Sequence, residues 1–320
     1  MAVVLAFCTA WFLLLCFPQA AIRWGFVDRP YARSAHLSPT PVGAGICFAL
    51  AVILALFVPN TATFEAPLVL WVLQGGGLLV ALVGLLDDRY TLPVWLRLFV
   101  YLASSSVAAV ALLNAAPVLI IGLAILALGW TINLVNFMDG LDGFVGTQAL
   151  SVCLGLGVIS LFVPGALGVS HFALVLAGAL IPFLVRNWPP ARFFMGDSGA
   201  VFIGFYLGCV GLYAAGQDNR LGAVWLILMM PFVVDATCTL LIRLAQGKSP
   251  AQGHSEHAYQ RLKRTSDSVL VINVGLLGLQ ILWQIPMAIW ATFGSYSPVF
   301  AVIFATIPSL VLVVYSQRYS

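Results

Sequence analysis

The sequence predicts an all-α, polytopic membrane protein, and three observations carry that reading. Hydrophobic residues fill 62% of the 320 positions and charged residues only 8%, against about 25% charged in a typical soluble domain. Apolar runs recur along the whole length, each near the roughly 20 residues that take a helix across about 30 Å of hydrocarbon. The charged residues fall mainly between those runs. A water-soluble domain is excluded, and nucleic acid is not an expected partner.

In chain order the runs give about eleven spans, near 1–22, 42–58, 67–86, 94–113, 117–135, 144–163, 171–185, 199–214, 221–242, 268–291 and 299–316. The first lacks a basic leader and continues into Pro18 and Gln19 without a small-residue cleavage signal, so it reads as a helix. Lys and Arg set the orientation, because cytoplasmic loops retain positive charge. With the N-terminus outside and the C-terminus cytoplasmic, thirteen basic residues from Arg23 to Arg318 face inward and only Arg220 faces outward. No linker, low-complexity stretch or internal repeat divides the chain, which reads as one membrane domain over residues 1–320. The six cysteines lie in or beside apolar spans without a CxxC pair and read as packing residues.

Eight of the eleven acidic residues gather in the inner loops or at adjacent helix ends, although acids do not obey the orientation rule. In a chain so poor in charge, carboxylates kept among arginines suggest a site that takes a cation and phosphates together. GLLDDRY at 84–90 puts Asp87 and Asp88 at a helix end. Such a pair repels unless a cation, an arginine or water offsets it; a solvated helix terminus is the plainer alternative. NLVNFMDGLDGF at 133–144 contains Asn133, Asn136, Asp139 and Asp142. The last three recur every third residue, which on a helical turn would align their oxygens. Oxygen ligands of this kind suit Mg²⁺, which commonly shares them with substrate phosphates. The alternative is an ordinary Asn/Asp/Gly-rich turn.

RNWPPARFFMGDSGA at 186–200 offers Arg186 and Arg192 to a diphosphate or to lipid headgroups, and Asp197 and Ser198 as a helix cap, a metal-site pair or both. The longest inner loop, GKSPAQGHSEHAYQRLKRT at 247–265, spaces His254 and His257 three apart and Arg261 four beyond His257. Phosphate and nucleotide contacts fit it better than zinc, which lacks a third protein ligand; a basic loop against anionic lipid is the alternative. Asp235 is the one acid well inside a span, which marks it either as functional or as a helix–helix hydrogen-bond partner.

Together with VDRPYARSAHLSPTPVGAG at 27–45, which holds Arg33 and His36, these segments resemble the polyprenyl-phosphate N-acetylhexosamine-1-phosphate transferases, a family that includes the muramoyl-pentapeptide transferase of peptidoglycan synthesis. Five motifs in the family's order cover nearly the whole chain. The resemblance implies a multi-pass protein of a bacterial inner membrane that moves a sugar-1-phosphate from a UDP-N-acetylhexosamine to undecaprenyl or another polyprenyl phosphate and releases UMP. It implies Mg²⁺, with Mn²⁺ as a substitute, held near Asn136 and Asp197. Asp87, Asp88 and Asp197 would be catalytic; Asn133, Asp139, Asp142, Arg192, His254, His257, Arg261, Arg33 and His36 would contact substrates. The HAYQR form resembles enzymes that start O-antigen or related polysaccharides, and a homodimer is a possible assembly. Val42, Ala44 and Glu256 depart from the residues that many relatives carry at those points.

Two rival classes fit less well. A secondary transporter calls for ionisable groups near the midplane, where only Asp235 comes close. An intramembrane prenyltransferase would lack FMGDSG and HAYQR. The chemistry expected is charge neutralisation, because an anionic phosphate attacks an anionic diphosphate. At pH 7 the lipid phosphate is already roughly 90% dianion, so direct attack on the β-phosphorus is expected, with no aspartyl intermediate.

Overall fold

A computed structural model describes residues 1–28, 39–59, 66–113, 115–249, 254–266 and 268–319. Each apolar run forms a helix, because a backbone in hydrocarbon has to bond to itself. The helices are α1 (Ala2–Trp24), α2 (Gly45–Ala55), α3 (Pro67–Tyr90), α4 (Val94–Leu112), α5 (Val118–Phe137) and α6 (Phe144–Ser160). They continue as α7 (Leu167–Asn187), α8 (Gly196–Gln217), α9 (Asn219–Ala245), the amphipathic α10 (Ala258–Ser266), α11 (Val269–Phe293) and α12 (Pro298–Ser316). Each of the eleven expected spans meets a helix. Among the described residues nine are long and apolar enough to cross a membrane, whereas α2 and α6, with 11 and 17 residues, fall short. A two-residue antiparallel ribbon, β1 (Val27–Asp28) with β2 (Thr40–Pro41), is the one departure from all-α among the described residues.

The long side chains of α1, α4, α11 and α12 point outward, as with Phe12, Phe99, Leu282 and Val314. Lipid tails are as apolar as these side chains, so close packing and buried hydrogen bonds hold the bundle instead of hydrophobic burial. Glycines supply the close packing. A Cβ on Gly84 of α3 would come within 2.6 Å of the Ser198 nitrogen at the start of α8, and one on Gly204 within 2.7 Å of the Ile132 Cα in α5. Gly45 of α2 has no room for a side chain against the Gly199 backbone. α8 therefore lies at the centre, with Phe202, Phe205 and Tyr206 fully buried. Buried polar groups tie the outer helices on: the Tyr206 hydroxyl donates to the Phe172 carbonyl at 2.9 Å, and Gln280 Nε2 donates to Gln148 Oε1 at 2.7 Å.

The ribbon does local work. Beyond β2 the chain runs beside the segment that precedes α8: the Phe194 N–H donates to the Pro41 carbonyl at 2.8 Å, and Ala44 and Gly45 donate back to Phe194 and Met195 at 3.1 and 2.9 Å. This brings Gly43, at φ +90°, against the end of α3, 3.3 Å from Asp88 Oδ2 as a Cβ would measure it.

Gly45→Ala should lower the melting temperature in detergent by several degrees, since overpacking costs about 1–3 kcal/mol. Gly122→Ala, where a Cβ would meet open space, should leave it unchanged or higher. Equal melting temperatures for the two variants would refute the glycine-contact account of the bundle.

Candidate active site

The first N–H groups of α8 point out of the helix with no partner in their own chain turn. Asp88, in the last turn of α3, meets that need: Oδ1 accepts from the Asp197 N–H at 2.8 Å and Oδ2 from the Ser198 N–H at 3.2 Å. Gly196 makes the approach possible, because it adopts φ +73° and a Cβ there would lie 2.5 Å from Asp88 Oδ2. The expectation that Asp197 and Ser198 cap α8 is thus corrected: both lie within its first turn, and the cap arrives from another helix.

Asp87 turns the other way. Its Oδ1 accepts from the Leu92 N–H at 2.6 Å, and its Oδ2 pairs with Arg97 of α4. The same Arg97 nitrogen lies 3.4 Å from Asp197 Oδ2. The repulsion between the two neighbouring carboxylates is therefore offset by an arginine on one and a helix N-terminus on the other. Arg97 entered the sequence reading only as an orientation charge, and its one signal was a position a turn into the helix after the acidic pair. Asp87 is buried, whereas Asp197 keeps 33% of its side chain exposed.

α5 ends at Phe137, and residues 138–143 form a tight turn in which Asp139 donates its N–H to the Asn136 carbonyl at 3.2 Å. Asn136, Asp139 and Asp142 consequently do not line one helical face, as their spacing had suggested. The turn is pinned to the end of α7 and to the segment that follows it: Asn187 Oδ1 accepts from the Gly143 N–H, and Asp142 Oδ2 from the Ala191 N–H, both at 2.9 Å. Asn133 spends its amide on its own helix, donating to the Gly129 carbonyl at 2.8 Å. Gly204 against Ile132, and Gly208 against Leu128, set the register that brings Asn136 level with the first turn of α8. Asp139 is half-buried, and burial first, then the charges of Asp88 and Asp142, push its carboxyl up to about 7.

Asn136, Asp139 and Asp197 thus offer oxygen donors with capacity to spare, which suits a hard cation such as Mg²⁺. Among the described residues no three His, Cys, Asp or Glu side chains gather closely enough to hold a metal by themselves. Mg²⁺ needs no such cage, because it completes its shell with phosphate oxygens and water.

The second half of the site is the loop before α10. The Arg261 N–H donates to the His257 carbonyl at 3.0 Å, so the two are one helical turn apart, as the spacing predicted. The His254 and His257 rings lie 4.9 Å apart, and burial first, then the charges of His257 and Arg243, lower His254 to about 4. Glu256 gathers cations, with Arg243 at 2.5 Å, Lys248 at 3.0 Å and Arg261 at 3.8 Å. Arg261 is buried, yet its Nε and Nη1 have no hydrogen-bond partner among the described residues. Unmet donors on a buried guanidinium are what a phosphate would satisfy. Arg192 is exposed. Arg33 and His36 lie outside the described residues.

Residues 70–215, which contain both acidic clusters, match glycosyl transferase family 4. The chain is 32% identical over 314 residues to the decaprenyl-phosphate N-acetylglucosaminephosphotransferase of Mycolicibacterium smegmatis, covering 83% of this chain and 74% of that one. The chain belongs to glycosyl transferase family 4. Another relative is the undecaprenyl-phosphate alpha-N-acetylglucosaminyl 1-phosphate transferase of Yersinia pestis, 28% identical over 279 residues, 77% of this chain and 72% of that one. A third is the probable undecaprenyl-phosphate N-acetylglucosaminyl 1-phosphate transferase of Bacillus subtilis, 26% identical over 76% of this chain and 71% of that one. Family membership makes the protein a multi-pass membrane transferase. Both the acidic pair and the acidic turn lie within the matched segment, and the loop before α10 lies beyond it.

Folded Asp139 keeps its proton up to about pH 7, while in the unfolded chain it ionises near 3.8. Unfolding releases that proton between these values, so the metal-free protein should lose stability as pH rises from about 4 to about 7. Melting temperatures in detergent with chelator should show this slope, and Asp139→Asn should make it shallower. An identical slope in the variant would contradict the assignment.

Proposed function

We propose that the protein transfers N-acetylglucosamine-1-phosphate from UDP-N-acetylglucosamine to a polyprenyl phosphate such as undecaprenyl phosphate, giving the polyprenyl-diphosphate sugar and UMP. The reaction would start an O-antigen or related cell-surface polysaccharide. The observation that carries the reading is the meeting of Asp88, Asp197 and the acidic turn at one end of the bundle. Family membership supplies the reaction class, and the relatives' names supply the sugar. The proposal includes a bacterial inner-membrane location, an outer N-terminus and a cytoplasmic C-terminus, with the site on the cytoplasmic face and one domain over residues 1–320.

In this reading Asn136 and Asp197 hold Mg²⁺, or Mn²⁺ in its place. The cation supplies charge neutralisation between the two phosphate groups. Asp88 spends both oxygens on the start of α8 and acts by fixing the backbone that bears Asp197. Asp87 holds Arg97, which in turn orients Asp197. Arg261 presents its unmet N–H groups to the nucleotide diphosphate, with His257 and His254 beside it. Asp139 and Asp142 shape the cleft wall, and Arg192 meets phosphate at its open edge. A phosphate oxygen of the lipid attacks the β-phosphorus, the bond to the UMP oxygen breaks, and UMP leaves with the displaced electron pair.

UMP release from UDP-N-acetylglucosamine should require both a polyprenyl phosphate and Mg²⁺. Asp197→Asn and Asn136→Ala should each reduce it on the order of 100-fold or more while the melting temperature holds. Near-normal turnover of either variant at limiting Mg²⁺ would remove that residue from the cation site.

Both carboxylates of the acidic pair are engaged by nitrogen donors, which favours direct attack by the lipid phosphate over a phospho-sugar enzyme intermediate. Enzyme stripped of polyprenyl phosphate and given Mg²⁺, UDP-sugar and radiolabelled UMP should therefore exchange no label into UDP-sugar. Exchange that disappears in Asp87→Asn or Asp88→Asn would establish a covalent path.

A further inference from the structure

Asp235 is buried in the middle of α9, yet its bonds reach out of the helix. Oδ1 accepts from the Ala258 N–H at 2.8 Å and Oδ2 from the Tyr259 N–H at 3.1 Å, the first two residues of α10. The Thr239 hydroxyl, one turn along α9, donates to Oδ1 at 3.1 Å and fixes the carboxylate. A third end group is also met, because the His257 N–H donates to Gln260 Oε1 at 3.3 Å, the return half of a capping box. Ordinarily the residue at the position of His257 would cap the helix with its own side chain. With Asp235 capping from α9, that position is released to hold an imidazole.

Tyr259 carries the connection onward. Its ring stacks on Phe144 at 4.7 Å, and its hydroxyl donates to the Phe137 carbonyl at 3.2 Å, the last residue of α5 before the acidic turn. Gly140, inside that turn, has no room for a Cβ against the Tyr259 hydroxyl. An apolar pocket of about 190 Å³ lies beside α10, lined by Asp235, Tyr259, Leu262, Leu276 and Val313 among others.

We infer that Asp235 and Tyr259 are positioning residues: through the cap on α10 and the bond to Phe137 they fix the gap between the Arg261 helix and the turn that bears Asp139 and Asp142, and so set where a nucleotide diphosphate donor is held relative to the carboxylates. The donor part of this rests on the function proposed above; the geometric part does not.

The test pairs amide hydrogen exchange with kinetics on full-length protein in detergent. Tyr259→Phe keeps the ring and removes only the hydroxyl. Exchange should quicken at residues 138–143, and KM for UDP-N-acetylglucosamine should rise roughly fivefold, about the worth of one net hydrogen bond, with KM for the polyprenyl phosphate and the melting temperature unchanged. Asp235→Ala should quicken exchange in residues 258–262, and Asp235→Asn, which keeps one acceptor oxygen, should fall between it and wild type. Unchanged exchange at 138–143 in Tyr259→Phe, or Asp235→Asn indistinguishable from wild type at 258–262, would overturn the inference. So would a rise in both KM values together, the mark of general loosening. If wild-type protein used no UDP-sugar, the proposed function would fall, and the exchange arms would still decide whether these residues fix the gap.

Discussion

The Asp88 carboxylate, laid across the exposed N–H groups of α8, is the interaction on which the rest of the site depends. It joins the end of α3 to the start of the central helix, and it requires glycine at 196 and at 43 to let the backbones come near. Arg97 is then drawn between Asp87 and Asp197, and Asp197 is left partly exposed. An uncapped helix start this enclosed would leave unpaired donors, each costing about 1–3 kcal/mol. The acid that meets the donors is also the one that fixes the backbone bearing Asp197.

The same device occurs twice. Asp88 caps α8 from α3, and Asp235 caps α10 from α9. A helix N-terminus is ordinarily a ready site for phosphate. Here two such termini are already filled by carboxylates from neighbouring helices, so under the proposed function substrate phosphates would be met by guanidinium groups and a cation. In that proposal the unmet nitrogens of Arg261 are the guanidinium groups available.

Much of this was legible in the sequence. Hydropathy located the eleven apolar helices found among the described residues, because in a bilayer length and apolarity are the dominant constraint. It overstated the length of α2 and α6, whose apolar runs continue past the ends of the helices. The acidic motifs were found by their scarcity, since a charge in a chain that is 8% charged stands out. Geometry within the motifs was less legible. The three-residue period of Asn136, Asp139 and Asp142 suggested a helical face, but the glycines that permit close approach also end the helix. Arg97 and Tyr259 were missed because each acts on a residue distant in sequence, ten positions from Asp87 in one case and 122 from Phe137 in the other. Asp235 was recognised as costly where it lies, and the structure shows the hydrogen-bond reading: it is a partner to another helix, the one that carries Arg261.

The two short helices bear on how the protein meets its surroundings. At 1.5 Å per residue α2 covers about 16 Å and α6 about 26 Å, against a hydrocarbon thickness of about 30 Å. Eight of the 11 residues in α2 and 13 of the 17 in α6 are buried, so lipid scarcely touches either. Hydrophobic mismatch is therefore felt by the long outer helices alone. Both short helices begin at the end of the bundle that carries the acidic residues: Gly45 lies level with Gly199 in the first turn of α8, and Gly143 is bonded to Asn187. Their missing length consequently falls at the far face. Thickening or thinning of the bilayer would be absorbed by tilt of the outer belt and at those distant ends, leaving the registry of the reacting groups insulated from the mechanics of the membrane around them.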